Sequence, residues 1–120
     1  MSAPLWLRTL RLPGWRWVPG MAPSVIRYGS VVILSVLPTK RLALCRATWP
    51  DGNPVAGEVY LSLDILRPHH ADHATMDFLR GLARDAGLSV APCADVWDEA
   101  HALVEGLERA HLLAALGGDR

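Results

Sequence analysis

Three of the five histidines fall within five positions, His69, His70 and His73, and Asp72 stands among them. Imidazole nitrogens and a carboxylate this close are the ligand types of zinc and similar divalent ions, and His70 and His73, three apart, could face one ion. The spacing is not that of a HExxH helix or a zinc finger, and a metal site needs further groups to orient its ligands. Asp72 also stands where a following helix needs its cap. The residues therefore favour a polar, partly exposed approach to a helix, with no metal and no cofactor. His69, His70, Asp72 and His73 are the weak metal candidates, and imidazoles that titrate near neutrality offer a pH-sensitive contact.

Other catalytic patterns are absent or thin. The chain has no G-x-S-x-G, no Walker loop and no G-x-G-x-x-G. A Cys/His pair drawn from Cys45 or Cys93 with His101 or His111 has no spacing that singles it out. Glu58 and Asp64 share the polar side of a strand-like run, but at about 3.3 Å per residue they stand about 20 Å apart. That is too far for two carboxylates acting on one bond. The expectation is a protein that is not an enzyme.

A second group of residues suits binding. Trp15 and Trp17 lie two apart, on one side of an extended segment, among Arg11, Arg16, Arg27 and Arg41. Tryptophans of this kind close the edge of a core; exposed, they would form an aromatic platform, and with arginines they suit base stacking and phosphate contact. The net charge of zero conceals a segregation: residues 1–50 carry seven basic side chains and no acid, while residues 51–120 carry twelve acids and five arginines. The halves are thus +7 and −7. They attract each other within the fold or across a dimer, or the basic half meets an anionic partner. A sequence pI near 7.0 is far from the strongly basic balance of domains that bind nucleic acid by charge alone.

A chain of 120 residues, 51% apolar, is one folded domain. Its longest apolar run, residues 31–37, is broken by Ser35 and far short of the roughly 18 residues that cross a bilayer. Arg8, Arg11 and Arg16 interrupt the place where a signal peptide needs its apolar centre, so a cytoplasmic protein is expected. Two cysteines without a CxxC pattern are then expected to be buried thiols.

The elements that must position these groups can be read in order. Residues 1–11 lack a period and read as a short strand or a mobile arm. Residues 12–23 hold three prolines and two glycines and read as turns. Strands are expected over residues 25–28, 31–37, 41–49 and 58–65. The run at 31–37, apolar on both sides, reads as a central, covered strand. In the last, Val59, Leu61, Leu63 and Ile65 share the inward side. Pro50-Asp51-Gly52-Asn53-Pro54 is the strongest turn signal. Asp72 then caps a helix with an apolar face at Met76, Leu79, Leu82, Ala83 and Ala86, ended by Gly87. Residues 88–91 could add a short strand. Asp95 caps a second helix whose core row is Val96, Ala100, Leu103, Val104, Leu107, Ala110, Leu113, Ala114 and Leu116. Glu105 and Arg109 form an i,i+4 pair, and Gly106 is expected to let another backbone come close.

Three short motifs, GWRWVPGM (residues 14–21), DHATMDFLRGLARDA (72–86) and DEAHALVEGLERA (98–110), follow one another in this order. In that order the chain resembles small uncharacterised proteins of tailed phages and prophages of high-GC bacteria. His73 stands where that group often has a proline after the capping aspartate. The resemblance implies a compact α+β accessory protein and brings no catalytic residues. The fold expected is α+β: an antiparallel meander of three to four strands with two C-terminal helices on one face. The function expected is non-catalytic: binding of a host or phage protein, as an inhibitor of a host defence or regulatory system, with a homodimer as a further partner. Nucleic-acid binding through the basic, tryptophan-bearing half is the alternative, and metal binding or catalysis through the histidine cluster is a third. The interaction candidates are Arg11, Trp15, Arg16, Trp17, Arg27 and Arg41.

Overall fold

The β-branched run Ser30–Leu37 forms the first strand of the sheet, β1, in the computed structural model, which describes residues 3–91 and 93–117. A 3₁₀ turn at Pro38–Lys40 reverses the chain into β2, Leu42–Thr48, and β3, Val59–Ser62, returns alongside it. The three strands are antiparallel in the order β1-β2-β3. Between β2 and β3 the Pro50–Pro54 segment turns as its residues demand: Gly52 takes φ 91°, and the side chain of Asp51 accepts the N–H of Asn53. Among the described residues three helices join the sheet: α1, Leu5–Leu10; α2, His73–Asp85; and α3, Val96–Gly117. The α+β meander with two C-terminal helices is the architecture observed.

Several elements differ from expectation. β1 lies at the edge of the sheet, with β2 in the centre. Its outer edge is partly covered by the proline-rich segment before it: Gly20 N–H donates to the Ile33 carbonyl, and Ile33 N–H to that of Met21. Leu34 is an extra residue relative to β2, and after this bulge the clean alternation of buried and exposed side chains is lost. Residues 25–28 form a turn, with Tyr28 N–H bonded to the Val25 carbonyl; only Ser24 bridges, to Arg67. β3 stops at Ser62 because the Ser62 hydroxyl accepts the N–H of Asp64 and starts a 3₁₀ turn, Leu63–Ile65. The change of phase throws Ile65 outward, 50% exposed, and Leu66 takes the inward place. Residues 88–91 add no strand; the chain leaves α2 through Gly87 (φ 75°), with Leu88 N–H on the Ala83 carbonyl.

Within the N-terminal segment Leu5–Leu10 form a helix, not a strand. α1 docks on α3, with Thr9 buried and the Arg8 guanidinium held by the Glu108 carboxylate. The row of buried residues on α3 ends at Leu107, and Leu112, Leu113, Ala114 and Leu116 are exposed. Gly106 makes room for a side chain rather than a backbone: a Cβ there would lie 3.3 Å from Leu88 Cδ1. Cys45 is buried, but Cys93 is exposed.

The core has two parts. One gathers the inward residues of the sheet, Val31, Ile33, Ala43, Cys45, Ala47 and Leu61, with Trp17, Met21 and Leu66. The other joins Met76, Leu79 and Ala83 of α2 to Ala100, Leu103, Val104 and Leu107 of α3, with Leu12. Ala74 and Phe78 carry α2 onto the sheet part, and Trp15 packs against both.

Candidate aromatic and cationic cleft

Trp15 occupies the seam between sheet and helices because the chain turns into it from α1. Its N–H closes on the Leu12 carbonyl at 3.0 Å, and Gly14 takes φ 87°, a conformation that glycine adopts freely. The extended chain then places Trp17 on the same side. The two rings meet edge to face at 5.4 Å, and Trp15 makes a second such contact with Phe78 of α2 at 5.3 Å. Trp17 is buried and Trp15 half-buried, so they are not an exposed platform. The Trp15 indole N–H is buried without a hydrogen-bond partner among the described residues.

Trp15 and Trp17 nevertheless form one wall of an open cleft of about 580 Å³. Arg16 and Arg41 line it as well, with Leu10, Val36, Pro38 and Leu63 supplying apolar surface and Asp64 a single acid. Arg16 rests its guanidinium 5.6 Å from the centre of the Phe78 ring. Arg41 is the one described non-glycine residue with positive φ, 53°, and it closes the 3₁₀ turn by donating its N–H to the Pro38 carbonyl. That left-handed conformation costs of order 1 kcal/mol for a side-chain-bearing residue. It is held by the turn and by Leu63 N–H on the Arg41 carbonyl at 2.9 Å, and it aims the side chain at Asp64, whose carboxylate accepts from Nη2.

A second cleft, of about 620 Å³, lies across Asp64. Arg27, Arg67 and Trp6 line it with Ile26 and Ile65. Arg67 sits 4.3 Å from the centre of the Trp6 ring, and Ile26 is 90% exposed. Four of the six residues singled out for interaction, Trp15, Arg16, Trp17 and Arg41, therefore share the first cleft, and Arg27 lines the second. Arg11, exposed at the end of α1, lines neither. Sequence reading missed Arg67, Trp6 and Leu63 as members of these walls, since only the turns after α1 and β3 bring them in.

The histidine cluster does not assemble a ligand set. His69 and His73 are exposed, whereas His70 is 2% exposed with Nε2 2.9 Å from the Thr9 hydroxyl. Burial pushes the His70 imidazole down to about 4, with His69 and His101 adding to the effect. The Asp72 carboxylate is engaged as the cap of α2 and by the N–H of Ala22. Among the described residues no group of three histidine, cysteine, aspartate or glutamate side chains is placed to hold a metal ion. The polar, partly exposed loop expected here is thus corrected at His70, which is a core residue. The indole of Trp97 on α3 lies 6.0 Å from both the His69 and the His70 rings.

Charge segregation is resolved partly inside the fold. Arg8 pairs with Glu108, and Arg41 with Asp64, each joining the basic half to the acidic half. Arg80 pairs with Glu99 and Asp77 within the acidic half. No helix of the described residues is long and apolar enough to cross a membrane. Set against protein-family models, curated proteins and solved structures, the chain matches none.

Proposed function

We propose that the protein is a non-catalytic accessory protein of the phage or prophage type that acts in the cytoplasm by binding another protein, and that the cleft between Trp15 and Arg41 is where it binds. One observation carries this reading: the adjacent Trp15, Arg16 and Trp17 and the distant Arg41 line a single cleft with apolar walls. Its volume is in the range of pockets that enclose a small ligand or a few side chains. Aromatic residues and arginine are the types that dominate protein interfaces. An apolar side chain beside a carboxylate is the partner chemistry that complements indole walls and the Arg16 guanidinium. Inhibition of a host defence or regulatory system is the role that such binding would serve.

The nucleic-acid alternative draws less support. Arg8 and Arg41 already have carboxylate partners, and Arg16 and Arg27 belong to different clefts. The test compares three proteins as bait in a bacterial host lysate: the wild type, Arg16→Glu, and Arg84→Glu, which lines neither cleft. A partner retained by the wild type and Arg84→Glu but lost by Arg16→Glu is expected. Equal capture by all three would remove the cleft from the account. A salt-dependent shift of DNA or RNA with the wild type would favour the alternative.

A further inference from the structure

The outer face of α3 carries exposed leucines and two opposite charges. Ala100, Leu103, Val104 and Leu107 turn inward, and on the opposite side Ala102, Glu105, Arg109, Leu112 and Leu116 follow one another at spacings of three and four. That is the three-four spacing of a two-helix seam, with apolar residues at its ends and two opposite charges between them. Toward its C-terminal end this face is open among the described residues: Leu112, Leu113 and Leu116 are 60%, 62% and 74% exposed. A cluster of leucines this open at the end of one helix marks a contact surface.

The charges on the seam select the occupant. Glu105 and Arg109, expected to pair with each other, make no ion pair with each other or with any other described residue. On a helix they point to nearly the same side, one turn apart. We propose that a second copy of this chain packs its α3 against this face, antiparallel, about a two-fold axis level with Leu107. In that register Glu105 faces Arg109 of the second copy, and Arg109 faces its Glu105, so symmetry makes two ion pairs and leaves neither charge unmatched. The same register sets the small Ala102 against the large Leu112 of the second copy. Beside Ala102 a groove of about 470 Å³ opens between α3 and residues 88–91, walled by Leu88, Val90 and Gly106. Leu113 of the second copy arrives at the level of that groove. A parallel pairing would instead set Glu105 against Glu105 and Arg109 against Arg109, so the sequence of this face excludes it on charge.

This surface lies on α3 and shares no lining residue with the Trp15–Arg41 cleft, so it stands or falls independently of the binding reading given above. The test is sedimentation equilibrium of the full chain. A concentration-dependent dimer is expected for the wild type. Glu105→Arg and Arg109→Glu should each raise its dissociation constant about tenfold or more, since each places like charges opposite one another. The double exchange of both residues should restore it. Leu116→Glu serves as a second break, with helical circular dichroism confirming that each variant is folded. A wild type that stays monomeric at high micromolar concentration overturns the proposal. So does a dimer indifferent to the single reversals, or one that the double exchange fails to restore.

Discussion

The Thr9 hydroxyl and His70 Nε2 meet at 2.9 Å between α1 and the loop before α2, and both side chains are buried. The Thr9 hydroxyl also donates its only proton to the Leu5 carbonyl at 2.8 Å. It must therefore accept from His70, which places an imidazole proton on Nε2. Burial keeps the ring neutral, holding the imidazole at about 4 against an ordinary 6.5. Below pH 6.5 the unfolded chain takes up a proton that the native ring refuses. This contribution to stability is therefore whole above about pH 6.5, declines as the pH falls, and has lost about 3 kcal/mol by pH 4. Urea unfolding followed from pH 7 to pH 4 should show that slope. His70→Gln, whose amide can still donate to Thr9, should flatten it. A slope unchanged in the variant would assign the effect to another group.

A second contact ties the same short helix to α3. Arg8 grips Glu108 with two parallel bonds, Nε to Oε2 at 3.1 Å and Nη2 to Oε1 at 2.6 Å. The Arg8 hydrogen bonds hold the Glu108 carboxyl below the usual carboxylate range. Both groups keep some contact with water, so the pair is expected to contribute only about 1 kcal/mol, falling with added salt. A double-mutant cycle on Arg8→Ala and Glu108→Ala measures it. Amide exchange in α1 should quicken in either single variant, because six residues make too short a helix to persist undocked. A coupling energy of zero would leave Thr9 and His70 as the principal tie.

These two contacts also show what was legible in the sequence and what was not. Asp72, Gly87 and the Pro50–Pro54 turn declare themselves locally, through capping and backbone chemistry, and each does in the structure what its type demands. The 3₁₀ turn opened by Ser62 was not legible, since alternation continued through Ile65 and only the Ser62–Asp64 bond breaks it. The edge position of β1 was hidden for a different reason: an apolar run is silent on whether its outer edge meets another strand or only the segment of Gly20 and Met21. α1 lacks a side-chain cap and a clear period, so its helix depends on docking, which no local rule contains. The cleft was half legible. Trp15, Arg16, Trp17 and Arg41 stand out by type, but the meeting of Arg41 with the other three depends on the turn that reverses β1 into β2.

The cysteines separate cleanly by environment. Cys45 is fully buried at the centre of the sheet, and burial pushes its thiol up to about 11. Cys93 is exposed on the segment before α3. Thiolate, not thiol, attacks disulfide reagents, so Cys45 is doubly protected. In the native protein a thiol titration with an aromatic disulfide should give one fast equivalent per chain, lost in Cys93→Ser. The second should emerge only in denaturant, at a rate set by unfolding. Two fast equivalents in the native state would mean that the sheet opens far more readily than its packing implies.

Asp72 links the histidine stretch to the fold most directly. One oxygen, Oδ2, accepts from Thr75 N–H at 3.0 Å, from the Thr75 hydroxyl at 2.8 Å and from Ala22 N–H at 3.1 Å. The first two cap α2; the third fastens the segment that lies along the outer edge of β1. Removing the side chain leaves two donors at the helix start, and an N–H of the edge segment, without acceptors. Asp72→Ala is therefore expected to cost about 2 kcal/mol, at the upper end for a lost cap, because a tertiary bond goes with it. Asp72→Asn keeps one acceptor oxygen and should lose less than half of that. Exchange protection distinguishes the two roles: the first-turn amides of α2 and the amide of Ala22 should all lose protection together in Asp72→Ala. If Ala22 kept its protection while α2 frayed, the carboxylate would be a cap alone, and the edge of β1 would be held by Gly20 and Met21 without it.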